Sequence, residues 1–203
     1  ERVAAEAARV AAAGVVRDAR RRAAPDLAAR IESYLRDLAM PTASIGVSVD
    51  GEAGDDVVIL LAANSGAALL PLSKVASGGE LARAMLAVRR VLTASPPTQV
   101  FDEVDAGIGG EVAHAVGASL AELASHSQVL VVTHLAQVAA YAHSQVTVTK
   151  HDDGEMTVAT ATVLGDDERV VELSRMLSGS PESGTAQDHA VELLAVASAS
   201  RDA

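Results

Sequence analysis

Val100-Phe101-Asp102-Glu103-Val104-Asp105-Ala106-Gly107-Ile108-Gly109-Gly110 reads as a short buried strand that ends in two carboxylates and runs on into a glycine-rich loop. Ser95-Pro96-Pro97 breaks the chain just ahead of it. Behind it, Gly110 to Ala124 has helical character, and the apolar run Val129 to Val132 ends at Thr133-His134. Strand, helix, strand in this order predicts a parallel βαβ unit whose working edge lies at the carboxyl ends of its strands. Neighbouring side chains on a strand point to opposite faces, but where the chain turns both Asp102 and Glu103 can reach one pocket. One such acid can hold a hydrated Mg²⁺ while the next orients or deprotonates a water for phosphoryl transfer. Two acids in a loop after a strand also occur with no such role. The glycines suggest close packing against a ligand or a second chain, or simply a flexible loop.

Upstream, Ser73-Lys74-Val75-Ala76-Ser77-Gly78-Gly79-Glu80 leads directly into a helix. The glycines let the backbone approach a ligand, and the helix start offers free N–H groups with a partial positive charge. With the Ser77 hydroxyl this makes an anion site suited to phosphate. The plainer reading is a serine cap with glycines in a tight turn. His134, at the end of its apolar strand, can hydrogen-bond a γ-phosphate or serve as a buried structural histidine. The remaining histidines (His114, His126, His143, His151 and His189) show no ligand spacing and are expected on surfaces.

The rest of the chain frames these segments. Glu1 to about Arg22 is rich in alanine and charge, with Val3, Val10 and Val16 forming a thin apolar seam. It reads as a coiled-coil arm or an ordinary surface helix. Arg17, Arg20, Arg21 and Arg22 form either a solvated face or a local phosphate contact. Pro25 suits the first turn of a new helix, with Leu27, Ile31, Leu35 and Leu38 on one face and Met40-Pro41 ending it. Ser44 to Val49 and Val57 to Ala62 alternate as strands around a turn at Asp50 to Asp56, and Asn64 to Pro71 is loop. Glu80 to Leu92 is a helix with Leu81, Met85, Val88 and Leu92 on its stripe. Leu135 to Ala142 is a short helix. Gln145 to Lys150 and Glu155 to Val163 form a hairpin about Asp153-Gly154, and helices at Asp167 to Leu177 and Ala186 to Ala197 close the chain.

Composition sets outer limits. The 203 residues suffice for one substantial domain or a domain with an appendage. Hydrophobic residues are 49% and aromatics 1%, so the core must be built from small and branched aliphatics. A net charge of −11 argues against a chain that coats nucleic acid electrostatically. No apolar run approaches the roughly 18–20 residues of a membrane span, so no membrane partner is expected. The absence of cysteine excludes disulfides and thiolate metal sites and fits a reducing cytosol.

Order and spacing join the separate signals. Ser-Gly-Gly, then Asp-Glu after a strand, then His after the next strand is the order of signature, Walker B, D-loop and H-loop in ABC-type ATPases. Lys74-Val75-Ala76-Ser77-Gly78-Gly79-Glu80-Leu81-Ala82-Arg83, Phe101 through Gly110 and Val132-Thr133-His134-Leu135-Ala136-Gln137-Val138-Ala139 resemble the RecN family of SMC-like ABC ATPases in particular. Chromosome-condensing SMC heads share Asp-Glu-Val-Asp, but typically lack the Gly-Ile-Gly-Gly that follows here. The resemblance covers essentially the whole chain. It departs at Thr98 and Gln99, which stand where aliphatics are usual. It also departs in that no Gly-x-x-x-x-Gly-Lys-Ser/Thr occurs, and no Q-loop.

The resemblance implies an α/β fold, the C-terminal lobe of an ABC/SMC-type P-loop ATPase head with a mostly parallel sheet flanked by helices. Residues 1–39 would be a coiled-coil arm returning to the head, and residues 40–203 the lobe. The family's other head half would supply Walker A, and this chain without it is expected to be inactive. Two heads would sandwich ATP as a homodimer. Asp102 would act on Mg²⁺ through water, Glu103 would polarise the attacking water, and His134 would contact the γ-phosphate. Ser77, Gly78, Gly79 and Glu80 would close over the nucleotide of the opposite protomer, and Asp105 would lie at that seam. The implied role is ATP-dependent handling of DNA in double-strand break repair and recombination, in the cytoplasm at the nucleoid. Its rivals are an SMC-type chromosome-organising head, distinguished by arm length, and a non-catalytic interaction fragment. A transporter nucleotide-binding domain is disfavoured by the alanine-rich arm and by Ala-Ser-Gly-Gly-Glu.

Overall fold

A single helix, α1, runs Arg2–Asp37 in the computed structural model of the chain, which describes residues 1–75, 77–92, 96–152 and 157–201. Pro25 does not start a new helix as its spacing predicts; it lies inside α1. An internal proline removes one backbone hydrogen bond and costs about 3 kcal/mol. Alanine-rich turns on either side favour the helix, and the turn before Pro25 is held from outside it. Arg20 donates to the Gly54 carbonyl at 2.7 Å and Arg21 to the Val49 carbonyl at 3.1 Å. These two arginines therefore bind the strand that follows and the turn after it instead of forming a phosphate patch. The seam of Val3, Val10 and Val16 is exposed, whereas Ile31, Leu35 and Leu38 are buried as the spacing predicts.

The end of α1 is a Schellman-type stop. Ala39 adopts φ 59°, in the left-handed region, and the Met40 N–H donates to the Leu35 carbonyl at 2.9 Å. The chain then enters β1 (Ser44–Asp50) and β2 (Asp56–Ala62), antiparallel from Ser44↔Ala62 to Asp50↔Asp56. Within the stretch expected as loop, Leu70–Pro71 forms a short third strand, β3, paired to β2. After a single 3-10 turn at Leu72–Lys74, α2 covers Gly78–Val91. Its buried face is Arg83, Ala84, Ala87, Val88 and Val91, with Leu86 also buried. This differs from the predicted stripe: Leu92 is exposed and Leu81 and Met85 are half-buried. α2 packs against α1, and alanines at such a contact let two helices approach closely.

The chain divides into two compact units, Glu1–Ser95 and Pro96–Ala203. The second opens with β4 (Thr98–Phe101), α3 (Gly110–Ala124) and β5 (Gln128–Val131). β4 and β5 pair in parallel from Thr98↔Gln128 to Phe101↔Val131, the predicted βαβ unit. The polar side chains of β4 each find an acceptor, while the buried Oε1 of Gln99 has no hydrogen-bond partner among the described residues. Thr98 donates to Gln128 at 3.1 Å, and buried Gln99 donates to Ser127 at 2.9 Å. The Gln128-facing start of the strand thus accommodates side chains that an all-apolar strand would lack.

Beyond β5 come α4 (Ala136–Ala139), the antiparallel strands β6 (Val146–Asp152) and β7 (Thr157–Val163), and helices α5 (Asp166–Ser178) and α6 (Gly184–Arg201). The predicted Asp153-Gly154 turn lies outside the described residues. Ala136, Ala139, Ala140, Tyr141, Leu173, Ala190, Leu193 and Ala197 form one core cluster, as a chain poor in aromatics requires. Arg169 and Arg201 both donate to the Ala142 carbonyl, at 2.9 Å each, so that the carbonyls just past α4 do not go unpaired. Among the described residues, no helix is long and apolar enough to cross a membrane.

Candidate functional site

The signature-like loop ends at Ser77, the N-cap of α2, whose hydroxyl accepts from the Glu80 N–H at 3.4 Å. This is a long capping bond, and Glu80 in the first turn favours the positive end of the helix. Ser77 and Gly78 are exposed, Gly79 is buried and Glu80 is half-buried. The loop therefore presents a hydroxyl and a glycine backbone to solvent at a helix N-terminus. Ala76 lies outside the described residues. One turn on, Arg83 is buried; burial lowers its pKa, and the charge of Glu80 opposes that shift.

The carboxylates sit in the second unit, where β4 ends. Asp102 and Glu103 are both exposed, flanked by buried Phe101 and Val104. Glu103 has φ 57°, a left-handed conformation that is unfavourable for a residue with a Cβ. The turn continues with the Ala106 N–H donating to the Glu103 carbonyl at 3.1 Å. The positive φ of Gly107 and Gly110, 74° and 54°, favours glycine at both, and a Cβ at either would face open space. The backbone conformation thus accounts for two of the three glycines in this loop.

Asp105 differs from the acids before it. It is 2% exposed, and a single oxygen, Oδ2, receives a cluster of donors from the end of β5. The Thr133 hydroxyl donates to it at 2.5 Å and the His134 N–H at 3.0 Å. Nδ1 of His134 lies 3.1 Å from the same oxygen, while the His134 side chain is 73% exposed. The Thr133 hydroxyl also accepts from the Leu135 N–H at 3.1 Å, at the N-cap of α4. Parallel register makes this possible: Phe101↔Val131 pairing, extended by the Val132 N–H donating to the Phe101 carbonyl at 2.9 Å, brings both strand ends to one edge. Sequence reading placed Thr133 beside His134 but gave its hydroxyl no role. The available signal is a hydrogen-bonding residue just after the apolar run Val129 to Val132.

Structure thus brings Asp102, Glu103, Asp105 and His134 to the carboxyl edge of one parallel strand pair, while Ser77 to Glu80 belong to the other unit. Among the described residues, no group of three or more acidic, histidine or cysteine side chains is arranged to hold a metal without other ligands. A lone Asp102 suits a cation held largely by water and by nucleotide phosphates. His126, His143, His151 and His189 are exposed as expected. His114 is instead half-buried, its ring edge-on to Tyr141 at 6.1 Å between centroids.

No protein-family model matches the chain. Curated proteins do. DNA repair protein RecN of Streptomyces coelicolor is 47% identical over 204 residues, which covers 91% of this chain and 36% of that protein. RecN of Deinococcus radiodurans is 49% identical, covering 87% of this chain and 32% of that protein. RecN of Haemophilus influenzae is 40% identical, covering 86% and 33%. The chain therefore spans about a third of the length of these relatives. Among solved structures, the Smc head domain with a coiled coil and joint from Pyrococcus yayanosii matches 75% of this chain and 29% of its own, with TM-score 0.55 and 22% identity. A chain solved in work on ATP-driven dimerization and DNA-stimulated activation of SMC ATPases matches 80% of this chain and 98% of its own, with TM-score 0.50 and 19% identity. Over the matched residues the fold is thus that of part of an SMC-type head, and the sequence lies much nearer to the DNA repair proteins than to these heads.

Proposed function

Because the chain belongs to the RecN family, we propose that it is the part of an ATPase head that carries signature, Walker B, D-loop and H-loop in DNA double-strand break repair. In this reading Asp102 holds Mg²⁺ through water, Glu103 polarises the attacking water and His134 faces the γ-phosphate. Ser77, Gly78, Gly79 and Glu80 close over a nucleotide bound by a second head. Residues 1–39 are the returning end of a coiled-coil arm, and the protein works in the cytoplasm at the nucleoid, on DNA.

The observation that carries the reading is the shared edge. One parallel strand pair delivers two exposed carboxylates and an exposed histidine to the same end, where phosphoryl transfer needs a metal, a water and a phosphate contact together. The exposed apolar side chains Val100, Leu130 and Val132 support a second element of it. They leave one face of β4 and β5 uncovered, as expected if the Walker A half of the head packs on it.

The test is Glu103→Gln in the full-length protein, which keeps the shape and removes the base. Nucleotide binding should persist while hydrolysis falls about 10²–10⁴-fold, and an ATP-bound head dimer should accumulate. Unchanged turnover would refute the assignment of the Asp102–Glu103 pair. The 203-residue chain on its own, which contains no P-loop to cradle the β- and γ-phosphates, should show no micromolar Mg-ATP binding by calorimetry.

A further inference from the structure

We infer that Asp105 and Thr133 are positioning residues that fix the ring orientation and the tautomer of His134, leaving Nε2 as its working atom. The inference rests on the reading of His134 as the residue that faces the nucleotide. It differs from the expectation that Asp105 is chiefly an inter-head contact, because its carboxylate is turned inward and nearly all of its surface is covered.

The geometry assigns each proton. The Thr133 hydroxyl accepts from the Leu135 N–H, so its own proton is free for Oδ2 of Asp105, 2.5 Å away. The His134 backbone N–H, 3.0 Å from the same oxygen, fixes the strand end. The third contact, Nδ1 of His134 at 3.1 Å, meets a carboxylate oxygen. A bare Nδ1 at that distance would set its lone pair against the oxygen's, so the contact favours the tautomer with the proton on Nδ1. In a neutral ring the other nitrogen, Nε2, is then an acceptor, on a side chain that is largely open to solvent. Without Asp105 the ring could rotate about its exposed side chain and exchange tautomers. With it, the backbone of His134 is tied to Oδ2 and its ring Nδ1 rests against the same oxygen.

Asp105 and Thr133 also tie two loops to each other. The residues are 28 apart in sequence, one in the glycine-rich loop after Glu103, the other at the end of β5. A displacement of the glycine-rich loop would therefore pull on the histidine. Outer partners of a metal-bound histidine typically matter about 10–100-fold for affinity or activity, and by analogy an effect of that order is expected for a histidine that faces a phosphate.

Two measurements test this. In the 203-residue chain labelled with ¹⁵N-histidine, long-range ¹H–¹⁵N correlation at a pH where the rings are neutral should show His134 protonated at Nδ1 and bare at Nε2. Exposed His126, His143 and His189 serve as internal references. Asp105→Ala, if folded, should release His134 into the same tautomer mixture as those references. A bare Nδ1 in the parent chain, or a tautomer unchanged in a folded Asp105→Ala chain, would overturn the inference. In the full-length protein, Thr133→Val should lower kcat for ATP hydrolysis about 10–100-fold with KM unchanged. Thr133→Ser should restore it, and neither change should matter once His134 is alanine. If His134→Ala slows turnover but Thr133→Val does not, the positioning role fails while the nucleotide reading stands. If His134→Ala leaves turnover unchanged, the nucleotide reading fails, and this inference with it.

Discussion

Gly117, in the middle of α3, is pressed against the ring of Tyr141, just past α4. A Cβ built there would lie 3.0 Å from the ring Cγ and 3.1 Å from Cε2, and would overlap Cδ2 outright. Tyr141 cannot swing aside, because it is 6% exposed and packed in the cluster with Ala136, Leu173, Ala190 and Leu193. Forcing a methyl into such a contact costs about 1–3 kcal/mol. Replacing a mid-helix glycine by alanine returns about 1 kcal/mol of helix propensity. Gly117→Ala should therefore destabilise by about 1 kcal/mol, which in a chain of this size lowers the melting temperature by roughly 2–4 °C. With Tyr141→Leu the ring is gone, and the same alanine should become neutral or stabilising by up to about 1 kcal/mol. Urea unfolding followed by circular dichroism, over the four members of this double-mutant cycle, reads the coupling directly. Equal effects of Gly117→Ala with and without the ring, or a gain in the parent, would refute the argument. Because α4 begins right after His134, loss of this contact should also loosen the loop that carries the histidine.

Three further outcomes follow from the geometry. Ala39→Gly should stabilise by about 0.5–1 kcal/mol in urea unfolding, since glycine avoids the roughly 1–2 kcal/mol left-handed penalty but loses more chain entropy. In the full-length protein, Ser77→Arg should leave nucleotide binding intact and block head closure. Mixing it with a P-loop lysine mutant should restore at most about half the ATPase rate if the two sites fire independently, and less if they act as a unit; no recovery from proven mixed dimers would count against a trans signature. Glu172 has its pKa lowered, chiefly by its hydrogen bonds from Arg175, at 2.7 Å. A depressed carboxylate contributes stability above its ordinary value of 4.5 and loses it as pH falls through the lowered one. Glu172→Gln should thus cost up to about 1 kcal/mol at pH 7, and the difference from the parent should vanish in acid titration below that range.

Sequence patterns were most informative where one residue type has one local solution. The run from Gly110 to Ala124 is the helix its composition predicts, and the parallel pair follows from strand, helix and strand in order. They failed where the partner is distant. Leu81, Met85 and Leu92 outrank alanine on hydrophobicity, yet α2 turns Ala84 and Ala87 fully inward, a choice set by packing partners that are distant in sequence. Pro25 reads as a helix start to anyone who cannot see Arg20 and Arg21 reaching across to the Gly54 and Val49 carbonyls. Asp102, Glu103 and His134 were legible as a strand-end group. The burial of Asp105 was not, since an acid in a glycine-rich loop reads as solvated until a threonine 28 residues later is placed against it.

The left-handed backbone at Glu103 also bears on how this position can drift. Any L-residue other than asparagine or aspartate inherits much the same conformational penalty there, so glutamine differs from glutamate in chemistry and hardly at all in comfort. Glycine relieves the backbone and abolishes the carboxylate. If Glu103 polarises the attacking water as proposed, ease of folding and capacity for chemistry pull in opposite directions at one site. A gene copy released from selection for turnover should lose this acid early, and the replacements it collects should be skewed toward glycine and asparagine. Copies that still hydrolyse nucleotide should keep glutamate against that gradient.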